Sequence, residues 1–275
     1  MAAGYLLGLR EGLEAAIIIG LLLGALRRTR HPEMTRALWL GASSAAALSL
    51  LLGALLVRLG ASLSGRAEEL FEGVMLALAA AVLTWVVVWM QGQHAAAGAE
   101  AEVGNAATAG QRRAVFLAAF VAVGREGLET GLFVSAAALA SETGPTLLGT
   151  ALGLLTAALL GAGLYMATLR LDLARFFAVT SLLLIVFAAG LLGHAVHEFS
   201  ELGWLPSGPE PVWDTSRLLM PGSFFGETAV VLFGYDPTPS LAQVVAYAGY
   251  LISLFLILVS RMRRQVPQGT PARPA

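Results

Sequence analysis

One five-residue string occurs twice in this 275-residue chain, as Arg10-Glu11-Gly12-Leu13-Glu14 and as Arg125-Glu126-Gly127-Leu128-Glu129. In a helix, residues three or four apart share a face, so one turn presents a guanidinium (Arg10 or Arg125) beside two carboxylates. Both copies lie well inside apolar stretches, where a charge at a bilayer centre costs about 2.5–3.5 kcal/mol even on the lenient insertion scale. Three charges on each helix must therefore face protein or water, not lipid. Four carboxylates against two guanidiniums leave a sum of −4 + 2 = −2 when all are ionised. A set of purely structural ion pairs would more naturally balance to zero. The surplus suits a cation with oxygen ligands, with the arginines holding the carboxylates ionised and oriented between visits. Gly12 and Gly127 let another backbone approach closely. The bland reading is that each motif only locks helices together. Two copies make that the weaker reading.

Two further clusters carry ligand chemistry. One is Glu68-Glu69-Leu70-Phe71-Glu72-Gly73, at the start of an apolar stretch. Glu69 and Glu72 share a face there, although carboxylates at a helix start also complement the helix dipole without any ligand. The other is His194-Ala195-Val196-His197-Glu198-Phe199-Ser200-Glu201, at the end of a stretch. His194, His197 and Glu201 are spaced by three and four, and Glu198 is four from His194. Imidazole with carboxylate suits iron and other first-row metals; an ordinary polar helix end is the alternative. His31 and His94 fall in loops and receive no role.

The elements that must position these residues are membrane helices. Hydrophobic residues make up 57% of the chain and charged residues 13%, against roughly 25% charged in a soluble globular chain, and mean hydropathy is +0.75. Apolar runs at roughly 3–26, 37–59, 69–91, 114–140, 145–169, 174–199 and 241–261 predict about seven spans, each near the ~20 residues that cross a bilayer. Runs this long are helical, because helices satisfy their own backbone in lipid. The fold class is thus an all-α polytopic membrane helix bundle. Net charge is −1, so no nucleic-acid footprint is present. All 17 basic residues are arginine and cysteine is absent, which excludes disulfides, thiolate metal sites and iron–sulfur ligation.

Arginine placement sets the expected orientation. Arg27, Arg28, Arg30 and Arg36 follow span one, Arg112 and Arg113 precede span four, Arg170 and Arg175 separate spans five and six, and Arg261, Arg263 and Arg264 follow span seven. The alternate loops hold Arg58, Arg66 and Arg217. By the positive-inside rule the N-terminus is outside and the C-terminus inside. The motif copies stand three spans apart, so their helices cross in opposite directions. That is an inverted 3+3 repeat with one added helix, an arrangement that places substrate near the midplane at the repeat interface. The expected organisation is a single permease domain over 1–265. Repeat one covers about 1–91, repeat two about 112–200, an outer loop about 200–240, and the last helix about 241–261. A Pro-rich tail over 266–275 is expected to be disordered. The Ala/Gly-rich stretch at about 92–112 reads as a flexible linker. The piece Phe224–Phe233 is too short to span and lies at the interface or re-enters. The N-terminus lacks a basic n-region, so it reads as the first span and not as a cleaved signal.

These residues resemble the iron permease family, the oxidase-dependent iron transporters that include fungal high-affinity iron permeases and bacterial EfeU-type permeases. The resemblance extends to Glu69–Gly73, to His197-Glu198 through Pro206, and to Phe233–Ser240. It implies iron import across a cell membrane, with a bacterial inner membrane as the expected setting, and with Glu11, Glu14, Glu126 and Glu129 as ligands and Arg10 and Arg125 as motif partners. It implies no permanent cofactor, with Fe3+ or Fe2+ as cargo. It also implies a ferroxidase, a peroxidase or a periplasmic iron-binding protein as a separate partner chain. In the expected mechanism His194, His197, Glu198, Glu201 and Glu72 collect iron at the outer mouth, the midplane carboxylates receive it, and one repeat rocks against the other. Manganese or lead is an alternative cargo. An intramembrane metal-dependent enzyme is an alternative of another class, but no second set of His and Asn lies deep in the bilayer to complete such a site. A haem-binding anchor could draw its axial ligands only from His194 and His197.

Overall fold

A computed structural model describes residues 1–90, 111–140, 143–166, 172–206, 208, 211–216, 229 and 233–265. The expected linker at 92–110, the tail from 266, most of Phe224–Phe233, and His94, Arg170 and Arg217 lie outside the described residues.

Among the described residues the fold is all-α. It comprises α1 (Ala2–Arg28), a 3-10 turn (Pro32–Met34), α2 (Thr35–Ser62), α3 (Arg66–Met90), α4 (Arg112–Leu139), α5 (Thr143–Tyr165), α6 (Leu173–Glu201) and α7 (Leu241–Gln265). Each expected span matches one helix. Five hold segments long and apolar enough to cross a membrane: Thr35–Ser62, Arg66–Val88, Thr143–Tyr165, Arg175–Glu201 and Leu241–Ser260. The exceptions, α1 and α4, carry the motifs, and every 18-residue window of either holds at least three charged residues. At about 1.5 Å per residue both still measure about 40 Å. Their charges point inward, since Arg10, Glu11, Glu126 and Glu129 are all buried. Leucines on α2, α5 and α7 are left exposed instead, including Leu50, Leu51, Leu159 and Leu256. That is the surface a lipid-facing helix presents.

Small residues decide the pairing. Without a hydrophobic drive between helices in lipid, close backbone packing holds membrane helices together. On α1, Gly4, Gly8 and Gly12 recur every four residues and meet Thr146, Thr150 and Ala157 of α5. From the α5 side, Gly149, Gly153 and Gly161 meet Met1, Tyr5 and Ala16. The pair α2–α4 repeats the device: Gly41 abuts the Phe116 backbone, Ala45 faces Gly124, Ser49 faces Gly127 and Gly53 faces Gly131. Thus α1 packs along α5, α2 along α4, and α3 along α6, while α7 leans on α6. Exchanging α1–α3 for α4–α6 maps this pattern onto itself. Gly20 and Gly24 form no such seam; Gly24 has nothing within 4 Å of a Cβ position.

A small apolar cluster joins Ala42, Ala45 and Val123, and two larger ones fill the bundle. One joins Leu7, Leu76, Leu83, Phe133, Phe187 and Leu191 from α1, α3, α4 and α6. The other joins Leu22, Leu26, Leu38, Val115 and Ala119 from α1, α2 and α4. Along α1 and along α4 the motif residues fall between the two larger clusters.

The loop before α7 folds back onto the bundle. Gly234, with φ +60, packs directly on Gly190 of α6. A side chain on either would overlap the other's backbone, and a positive φ is a conformation glycine adopts freely. Gly190 stands eleven residues before the end of α6 at Glu201, about 16 Å along the axis. The segment 233–236 therefore reaches well below the end of that helix.

Candidate metal centre

The two motifs meet where α1 crosses α4 at mid-length. On α1 the Arg10 guanidinium pairs with Glu11 and, from its second terminal nitrogen, with Glu14 Oε1 at 2.9 Å. On α4, Arg125 pairs with Glu126 Oε1 at 3.2 Å and with Glu129 Oε1 at 3.2 Å. The two copies thus make the same fork of one arginine across two carboxylates. Helical spacing explains it: the i,i+4 partner lies one turn along, and the i+1 carboxylate swings in beside the same guanidinium. The environments differ. Arg10 is 1% exposed, whereas a third of the Arg125 side chain is accessible.

Three of the four glutamates converge. Glu11, Glu126 and Glu129 each bring one carboxylate oxygen within 4.8 Å of the others', and all three residues are buried. The Oε2 atoms of all three are buried without a hydrogen-bond partner among the described residues. Three oxygens within 4.8 Å of one another lie at most about 2.8 Å from a common centre, and carboxylate oxygens bind a divalent metal such as zinc at about 2.0–2.2 Å. Each needs to move inward by less than an ångström to grip one ion. A buried carboxylate oxygen without a partner is costly even when the other oxygen is ion-paired, and a bound cation would offset that cost. Glu14 stands slightly apart: its carboxylate is 10% exposed, it is held by Arg10, and it lies within electrostatic range of Arg125 across the interface. Gly12 and Gly127 occupy the other faces of their turns, against Ala157 and Ser49. At both positions the nearest atoms are side-chain atoms of the neighbouring helix.

The expected outer cluster splits in two. Glu198 lies within electrostatic range of Glu72, His197, Glu201 and Glu69, and its Cβ abuts Gly73. These residues gather where the end of α6 meets the start of α3. His197 Nε2 stands 3.4 Å from Glu201 Oε1, and both are substantially exposed. His194 turns elsewhere, lining a cavity of about 320 Å³ between α6, α7 and the segment 233–239, with Tyr235, Asp236, Gln243 and Tyr247. Its Nε2 is buried without a hydrogen-bond partner among the described residues. Asp236 accepts from Gln243 Nε2 at 3.0 Å and from the Thr238 amide at 2.8 Å. The Ser240 amide in turn donates to Gln243 Oε1 at 2.8 Å. Sequence reasoning assigned no role to Tyr235, Asp236, Gln243 or Tyr247. The available signal was a glutamine just inside an apolar span, four residues after an Asp-Pro-Thr-Pro string.

Outside the spans, two exposed carboxyls are held below the usual carboxylate range. Asp214 is held down by the hydroxyl and amide of Ser216, and Glu33 by backbone N–H and by His31.

Residues 1–264 match the Iron permease FTR1 family. The chain is 36% identical over 263 residues to the ferrous iron permease EfeU of Escherichia coli O6:K15:H31, covering 94% of this chain and 95% of that one. It is 37% identical over 256 residues to the ferrous iron permease EfeU of Shigella sonnei, covering 92% and 93%. The ferrous iron permease EfeU of Yersinia pestis is 33% identical over 261 residues, with 94% and 93% covered. No solved structure matches the chain.

Proposed function

The chain belongs to the FTR1 iron permease family, a multi-pass membrane transporter and not an enzyme, and from that premise we propose that it imports iron through the buried layer of Glu11, Glu126 and Glu129. The observation that carries the proposal is their convergence from two antiparallel helices, each with a carboxylate oxygen lacking a partner. The relatives' names specify ferrous iron. All-oxygen ligation suits Fe(III) as well as Fe(II), so both forms enter the test.

The site is closed on both sides by the Leu7–Phe133 cluster and the Leu22–Val115 cluster. Transport requires each plug to open in turn. The packing suggests which bodies move. The tightest interfaces, α1–α5 and α2–α4, join helices from different sequence repeats. Rocking repeat against repeat would tear both seams. Sliding the α1–α5 pair against the α2–α4 pair leaves both intact and works the α1–α4 interface, where the carboxylates meet. Glu72, Glu198, Glu201 and His197 form the approach at the end where α1 begins. Glu69 borders that approach, and His194 waits in the neighbouring cavity. The positive-inside reading places that end outside.

The test is entry of labelled iron into liposomes holding the purified protein, supplied as Fe(II) under reductant and separately as Fe(III) chelate. Glu126→Gln and Glu129→Gln should abolish uptake while helical content stays unchanged. Wild-type uptake that survives both substitutions would sink the proposed site. If neither iron form enters, a competition series with manganese and lead decides the cargo, and adding a ferroxidase, a peroxidase or a periplasmic iron-binding protein tests for an obligatory partner.

A further inference from the structure

At the arginine-rich end a cleft of about 930 Å³ opens between the first turns of α2 and α4, remote from the carboxylate layer. Its walls are Glu33, Arg36, Ala37, Leu40, Arg112, Arg113, Phe116 and Leu117. The lining is ordered by depth. Each polar residue is followed four positions later by an apolar one: Arg36 by Leu40, Arg112 by Phe116, and Arg113 by Leu117. Four residues are one turn on the same face, about 6 Å deeper. A charged rim therefore stands directly over an apolar wall.

The rim is cationic. Three guanidiniums face one carboxylate, a balance of +3 − 1 = +2, and that carboxylate is already engaged at 2.8 Å by His31 Nδ1. Arg36, Arg112 and Arg113 form no ion pair with a carboxylate among the described residues, and all three are exposed. The helices beneath the rim begin without an acidic residue in their first turns. The wall lies on the lipid-facing side: Leu40 is 63% exposed and Leu117 56%.

A ligand that fits both levels has a phosphate over hydrocarbon chains. Guanidinium forks match phosphate oxygens in pairs, and the leucines and Phe116 match acyl chain. We propose that this cleft holds an anionic phospholipid, its phosphodiester among Arg36, Arg112 and Arg113 and its chains along Leu40, Phe116 and Leu117. Bound there, the lipid bridges α2 and α4 at the mouth of their glycine seam, which begins at Gly41 and Phe116.

The experiment is native mass spectrometry of the full chain released from detergent, titrated with phosphatidylglycerol and separately with phosphatidylcholine. The expected result is one retained phosphatidylglycerol per chain and no retained phosphatidylcholine at equal concentration. Arg36→Gln, Arg112→Gln and Arg113→Gln together should weaken retention roughly a hundredfold, since each basic group at a membrane surface contributes about fivefold and the three factors multiply. Arg261→Gln, Arg263→Gln and Arg264→Gln remove the same charge from the end of α7 and should leave retention unchanged. Circular dichroism checks that both triple variants keep their helix, and Arg112→Gln alone serves if the first triple does not. Equal loss in both triples would reduce the effect to general surface charge and overturn the site. Equal retention of phosphatidylcholine, displacement of the lipid by inorganic phosphate alone, or a doubled mass without lipid would also overturn it. The last two would point to a free-anion site and to a second copy of the chain.

Discussion

Substituting Gly12 with alanine tests whether the small-residue seam sets the position of the motif. A Cβ at Gly12 would stand 2.7 Å from Ala157 Cβ and 3.1 Å from Leu154 Cδ2. Carbon atoms in contact want about 3.5–4.0 Å, so α1 and α5 must part locally by about 1 Å. Ala157 is fully buried and has no room to yield. Overpacking of this kind costs about 1–3 kcal/mol. The alanine returns up to about 1 kcal/mol through helix propensity, for a net loss of about 1 kcal/mol. Gly24→Ala is the control, because nothing lies within 4 Å of its Cβ position; it should be neutral or slightly stabilising. The two variants should differ by about 2 kcal/mol, or roughly 4–8 °C in melting temperature at the ~2–4 °C per kcal/mol of a chain this size. The decisive variant is Gly12→Ala with Ala157→Gly, which removes the colliding methyl and should recover most of the loss, a coupling within the ~0.5–3 kcal/mol seen for touching residues. The assay is thermal unfolding in detergent followed by circular dichroism. A neutral Gly12→Ala, or a double variant no better than the single, would refute the claim that this seam fixes the spacing of α1.

Arg10→Gln should destabilise by about 3–5 kcal/mol, because it strands Glu11 and Glu14 in a buried site; the yield of folded protein and its melting temperature report this. Arg125→Gln should cost distinctly less in the same measurement, because a third of that side chain is exposed and water screens the loss. Phe133→Ala opens the plug on one side of the carboxylates. It should cost about 3–5 kcal/mol, and accessibility of a cysteine introduced at Leu7 should rise toward membrane-impermeant thiol reagents. Tyr250→Phe removes the 2.8 Å hydrogen bond to Thr84, with an expected loss of about 0.5–1.5 kcal/mol; adding Thr84→Val should then cost only what Thr84→Val loses through its own bond to the Ala80 carbonyl. Gly190→Ala should lift the segment at Gly234 off α6, and limited proteolysis should then cut the loop before α7 faster than in the parent chain.

The chain itself determined where charge enters an apolar background, and that was enough for much of the reading. Continuous apolar runs in lipid can only be helices, and each of the seven runs matches a helix among the described residues. A repeated Arg-Glu-Gly-Leu-Glu string had to face inward, because lipid rejects it, and all of its motif charges except those of Arg125 and Glu14 are buried. Helical spacing, however, gives only the angle between side chains on one helix. How far that helix is rotated and shifted against its neighbours is settled by the packing of the whole bundle. For that reason the sequence offered four equivalent glutamates, while the structure gathers Glu11, Glu126 and Glu129 and leaves Glu14 with Arg10. Gly20 and Gly24 have the same spacing as Gly149 and Gly153, yet only the second pair meets a backbone. The sequence put His194 and His197 on one face, yet the segment folding back through Gly234 draws His194 into a separate cavity beside Asp236. The crosswise pairing of α1 with α5 and α2 with α4 is likewise tertiary, since close contact needs small residues on both partners in register, and no single helix carries that information.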